Sequence, residues 1–100
     1  VIARTEFIEN RPEELDAFLN SYGDSVKFVN ENTEEAAELI GEYNIVPAAV
    51  AEKALPYCNI VLIESTDMKE KLSGYLSVLF EQNPKSVGGQ LPGDAFYYGV

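Results

Sequence analysis

Apolar residues Leu15, Leu19, Tyr22, Val26 and Val29 recur at alternating spacings of four and three, which places them on one face of a helix. Phe18 and Phe28 widen that stripe. Pro12 suits a first helical turn, where its missing N–H costs nothing, and Glu13, Glu14 and Asp16 follow near the positive end of the helix dipole. The pattern predicts a helix over about 12–30. Gly23 lies inside it at a cost of up to about 1 kcal/mol relative to alanine, but the apolar phase continues through it, so a single helix is expected, with room for a kink at that glycine.

Asn32 followed by Glu35 reads as a capping box, with Thr33 as the alternative cap, and Ala36, Ala37, Leu39 and Ile40 form the next apolar stripe. This second helix, over 33–43, is expected to end near Asn44, a residue that tolerates the left-handed conformation. Pro47 then opens a third, shorter helix over 47–55. Met68, Leu72, Tyr75, Leu76, Leu79 and Phe80 mark a fourth over 66–83, capped from Ser65-Thr66-Asp67 and stopped by Asn83-Pro84. Two stretches read as extended: Val1-Ile2-Ala3-Arg4, a short β-branched strand in need of a neighbour, and 58–64, built on the continuous run Ile60-Val61-Leu62-Ile63. The tail over 84–100 carries four of the seven glycines and Pro92, and is expected to be irregular, with Phe96-Tyr97-Tyr98 seeking apolar surface.

A hundred residues suit one small domain with a single core, and 46% apolar residues suffice to fill it. The expected class is therefore α/β but predominantly helical, with about four helices and two short extended segments. Seventeen acidic against seven basic residues give a net charge of −10, with the cations scattered singly. That balance makes nucleic acid and anionic membrane surfaces poor partners, and it reads first as a solvated surface. Cys58 is the only cysteine and histidine is absent, so an internal disulfide, a thiolate–imidazole pair and the usual zinc sites are excluded. Burial as a small apolar thiol is expected for Cys58. No apolar run approaches the ~20 residues that cross a bilayer. The chain opens on Val1 without a methionine, a charged n-region or an apolar h-region, so any targeting signal is expected upstream and the chain reads as a fragment.

Several segments together resemble one family. They are the helix Pro12-Glu13-Glu14-Leu15-Asp16-Ala17-Phe18-Leu19 with its continuation from Ser25 to Asn32, the Glu-Glu-Ala-Ala-Glu-Leu-Ile stretch from Glu34 to Ile40, and Ile45-Val46-Pro47. More specific are Ala54-Leu55-Pro56-Tyr57-Cys58-Asn59-Ile60 and the tail with Gly88-Gly89, Leu91-Pro92 and Phe96-Tyr97-Tyr98. These resemble the carboxyl end of ABC transporter substrate-binding proteins of the nitrate, sulfonate and taurine type. Family tails usually carry an acidic run before Phe-Tyr-Tyr, here reduced to Gly93-Asp94-Ala95. The resemblance implies the C-terminal portion of a type II periplasmic-binding-protein fold, in which two lobes close on a small-molecule solute and then dock on ABC permease subunits. It also implies an extracytoplasmic location, periplasmic or lipid-anchored, and a solute held mostly by residues earlier than Val1.

Arg4 is the candidate ligand residue, because a guanidinium grips a sulfonate or carboxylate bidentately, set against a plain ion pair with Glu6. The Ser86-Val87-Gly88-Gly89 turn offers N–H groups to an anion or is simple turn chemistry. Tyr97 and Tyr98 offer a stacking platform or a C-terminal clasp. Glu13-Glu14, Glu34-Glu35 and Glu42 fall at helix starts and solvent faces, so no acid–base pair, no metal site and no cofactor are expected. The leading expectation is thus a transport receptor without chemistry of its own, whose fragment covers its lobe-facing surface by self-association. The alternatives are an enzyme of the thiamine-pyrimidine-precursor synthase type on the same fold, which the lack of histidine disfavours, and a small helical interaction module.

Overall fold

A computed structural model describes residues 1–100. The chain is helical, with α1 Thr5–Asn10, α2 Pro12–Glu31, α3 Thr33–Glu42, α4 Ala48–Ala54 and α5 Ser65–Gln82, and with short 3-10 turns at Leu55–Tyr57, Pro84–Val87 and Asp94–Phe96. It divides into two compact units, Val1–Leu62 and Ile63–Val100.

The α/β expectation is corrected here, because no strand forms anywhere. Val1 to Arg4 stays exposed and leads directly into α1, whose first carbonyl acceptor is that of Arg4, bonded by the Ile8 N–H at 3.1 Å. A strand needs a ladder partner for its N–H and C=O groups, and these four residues have none. The 58–64 segment likewise lacks a ladder. In the first unit a side chain holds it instead, Asn30 Nδ2 donating to the Ile60 carbonyl at 3.0 Å.

In the first unit, α2 follows the 3.6-residue period. Leu15 is buried and Leu19, Tyr22, Val26 and Val29 are half-buried, while Phe18 lies more exposed and stacks on Tyr22 with ring centroids 5.8 Å apart. The helix runs through Gly23 without a break. A Cβ at that position would stand 3.3 Å from Leu62 Cδ2, so the glycine admits a close side-chain contact. Helix α1 went unforeseen; it is a single short helix joined to α2 through Arg11, whose N–H bonds the Phe7 carbonyl and whose own carbonyl accepts from Leu15.

The capping box does not form, since Asn32 makes no side-chain cap. Only this residue separates α2 from α3, and its N–H already bonds the Phe28 carbonyl. Thr33 turns its hydroxyl back to the Val29 carbonyl at 3.0 Å. Ala36 and Ala37 of α3 and Ala51 of α4 are buried, and Gly41 lets α4 approach so closely that a Cβ would meet Ala48 Cβ at 2.9 Å. Leu39 is outside this core and largely exposed, a second departure from the expected stripe. Asn44 adopts the left-handed conformation, φ 56°, at the end of α3.

In the second unit the tail doubles back along α5. Ser86 Oγ donates to the carbonyls of Leu79 and Asn83, at 3.2 and 2.7 Å, and Asn83 Oδ1 accepts from the Lys85 N–H, closing the C-terminal end of α5. Further on, Asp94 pairs with Lys69 at 2.8 Å, and Gly99 lies against Ser65. The tail is irregular as expected apart from its two short 3-10 turns, and its return to the preceding helix holds it in place.

Candidate functional site

Arg4 is exposed at the N-terminal boundary of α1, makes no ion pair with Glu6, and lines neither the concavity beside Leu76 and Phe96 nor the one beside Glu38 and Pro47. Its backbone serves the helix and its guanidinium meets solvent.

The Gly88-Gly89 turn resolves toward turn chemistry. Both glycines take positive φ, 81° and 93°, which a side chain would strain. The N–H groups of Ser86, Gly88 and Gly89 bond the carbonyls of Asn83, Lys85 and Pro84 at 2.9, 3.2 and 2.9 Å. Donors spent on carbonyls are not presented to an anion.

Of the aromatic tail, Tyr97 is buried and meets Phe96 edge-on with centroids 5.2 Å apart, while Phe96 and Tyr98 are exposed over much of their surface. Beside this end lies a mostly apolar cavity of about 420 Å³, bounded by Leu76 of α5 and by Val87, Leu91, Pro92 and Phe96 of the tail, with Ser86 and Gln90 as polar groups. Asp94, without a role at the sequence level, anchors the tail through Lys69 of α5, a residue too far off in sequence for any local pattern to pair the two.

Cys58 is exposed, contrary to the buried thiol expected, and its Sγ–H points back to the Ala54 carbonyl at 3.3 Å. It directly follows the Leu55–Tyr57 turn, where the chain leaves helical packing. Among the acidic candidates, Glu14 pairs with Arg11, which also sits 5.4 Å above the Phe7 ring. Glu34, Glu35 and Glu42 have no cationic partner. No three His, Cys, Asp or Glu side chains gather as a metal ligand set, and no helix is long and apolar enough to cross a membrane.

The arrangement is poor in converging reactive groups and rich in exposed apolar side chains. Ile2 is 94% exposed, Tyr57 84%, Tyr43 77% and Ile45 69%. The chain exposes 7850 Å² in all. Two separate compact bodies of the sizes of its units would together expose about 6,800 Å². The surface is therefore larger than the size of the units requires, and much of it is the kind that seeks a partner. Comparison with protein-family models, with curated proteins and with solved structures finds no match to this chain.

Proposed function

We propose that this chain is the C-terminal part of an extracytoplasmic solute-binding receptor of an ABC transporter, whose helices brace a two-lobed body that captures a small organic or inorganic solute and delivers it to a membrane permease. The observation that carries the reading is the exposed apolar surface. Val1, Ile2 and Val61 are exposed β-branched residues without a ladder partner, and Tyr57, the last residue of the Leu55–Tyr57 turn, is almost fully exposed. In a receptor the β-branched ends join strands supplied by the rest of the protein, and the tyrosine meets the neighbouring lobe. Such a component binds and releases its solute without bond chemistry.

The test is thermal unfolding of the full-length protein with a panel of inorganic anions, sulfonates, amines and pyrimidines. A ligand that binds only the native state adds RT ln(1 + [L]/Kd), about 2.7 kcal/mol at a hundredfold excess over Kd. One chemical class is expected to raise the transition by several degrees. An unchanged transition across the whole panel would sink the receptor reading.

The isolated chain is expected to cover part of its apolar surface with a second copy. Because the net charge of −10 opposes this, association should strengthen as salt screens the repulsion. Sedimentation equilibrium at low and high salt checks it, and a monomer mass of 11.1 kDa at every salt concentration contradicts it.

A further inference from the structure

Glu35, Glu38, Leu39 and Glu42 occupy positions i, i+3, i+4 and i+7 of α3, so they share one helical face, opposite the buried Ala36 and Ala37. Just beyond the helix end the chain exposes Tyr43 and Ile45. A shallow concavity of about 500 Å³, bounded by Glu38, Glu42, Gly41, Pro47 and Ala48, lies where α3 turns into α4. The sequence contains no lysine or arginine between Lys27 and Lys53. The ion pairs Arg11–Glu14, Lys69–Asp94 and Lys71–Asp67 lie elsewhere. Uncompensated carboxylates and the exposed Leu39 thus share this face, and the exposed Tyr43 and Ile45 follow directly at its C-terminal end.

We propose that this outer face of the α3–α4 hairpin docks a basic amphipathic helix of a partner protein, the apolar stripe of the helix lying on Leu39, Tyr43 and Ile45 and its lysines or arginines meeting Glu35, Glu38 and Glu42. The charge decides the occupant. A second copy that pairs this face with itself sets like against like, and an anionic membrane is repelled in the same way. A cationic segment gains from both parts of the surface at once. From Glu35 to Glu42 the face extends about 10 Å along the helix axis, two helical turns, which matches cations placed at i, i+3 or i+4 and i+7 on a helix laid alongside. The inference does not depend on the receptor reading, since it concerns a protein partner and not the solute.

The experiment is fluorescence anisotropy of a labelled leucine–lysine amphipathic peptide titrated with the chain, beside a scrambled peptide of the same composition. The amphipathic peptide is expected to bind more tightly than the scrambled one. The triple substitution Glu35→Gln, Glu38→Gln, Glu42→Gln removes three exposed charge pairs and is expected to weaken binding about tenfold. The same change of charge at Glu6, Glu9 and Glu13 is expected to weaken it less than about threefold, through the long-range field alone. Tyr43→Ser with Ile45→Ser, which leaves the charge untouched, is expected to weaken it at least about fivefold. Equal losses from the two glutamine triples, equal binding of the scrambled peptide, or indifference to the Tyr43 and Ile45 changes would each overturn the proposal. Circular dichroism of each variant confirms that the helices persist, and because all these positions are exposed the substitutions leave the core intact.

Discussion

Replacing Gly41 with valine should destabilise the first unit by about 2–3 kcal/mol, whereas replacing Gly74 with alanine should stabilise the second by up to about 1 kcal/mol. Both glycines lie inside helices, where glycine costs backbone entropy relative to alanine, so propensity alone predicts a gain from either change. The surroundings separate them. A Cβ at Gly41 would stand 2.9 Å from Ala48 Cβ, 3.1 Å from its backbone nitrogen and 3.3 Å from its Cα. Backbone cannot move aside as a side-chain tip does, so α4 must shift away from α3. That shift opens the packing of α3 on α4, two helices that bury the small residues Ala37 and Ala51. Valine adds two further methyl groups to the same overlap. At Gly74 nothing lies within 4 Å of the added carbon, so only the propensity gain remains. Chemical denaturation monitored by amide hydrogen exchange reads the two units separately. Retained protection of α3 and α4 amides in Gly41→Val would show that the close approach does not support this unit.

The helices were legible because their signals are local. The stripe from Leu15 to Val29 and the one from Met68 to Phe80 each extend over several turns, long enough for the 3.6-residue period to stand out. Pro12 and Pro84 mark where helical structure begins or cannot continue, and Asn44 carries the left-handed turn expected of it. Helix α1 was hidden because six residues give too few repeats, and the β-branched Val1-Ile2 ahead of it points to strand. The two extended segments failed for a different reason. A run such as Ile60 to Ile63 has the composition of a buried strand, but a strand exists only with a ladder partner, and composition does not supply one. The capping box at Asn32 failed because two helices compete for the same residue.

The candidate site was less legible still. Arg4 drew attention through its chemistry, yet side-chain chemistry says nothing of convergence, and the structure gives Arg4 no second group to act with. Gly88 and Gly89 form a turn at positive φ, and their N–H groups bond the carbonyls of Lys85 and Pro84. Lys69–Asp94 joins residues far apart in sequence, and it depends on the return of the tail along α5, which no local pattern encodes. The acidic face of α3 was visible as glutamates at helical spacing and was read as a solvated surface. What changes its meaning is the exposure of Leu39, Tyr43 and Ile45 beside it, and that is settled only once Ala36 and Ala37 take the buried side.

The second large effect is expected at Tyr97, the one buried residue of the second unit. Its removal as Tyr97→Ala should cost about 3–4 kcal/mol, the loss for a buried aromatic ring together with its edge-on contact to Phe96. Few other contacts compensate, because the α5 stripe is half-buried at Met68, Leu72, Leu76, Leu79 and Phe80 and exposed at Tyr75, and the cavity beside Leu76 and Leu91 leaves part of that face unfilled. The tail should then detach from α5, exposing the Ser65 end first, while the C-terminal end stays held by the hydroxyl of Ser86. Asp94→Ala provides the comparison. It removes an ion pair whose aspartate is largely in solvent, and such pairs contribute under about 1 kcal/mol. Limited proteolysis within the 88–100 segment, followed by mass spectrometry, orders the two variants. Rapid cleavage of Tyr97→Ala beside slow cleavage of Asp94→Ala establishes the ring as the anchor, and the reverse order assigns that role to the ion pair.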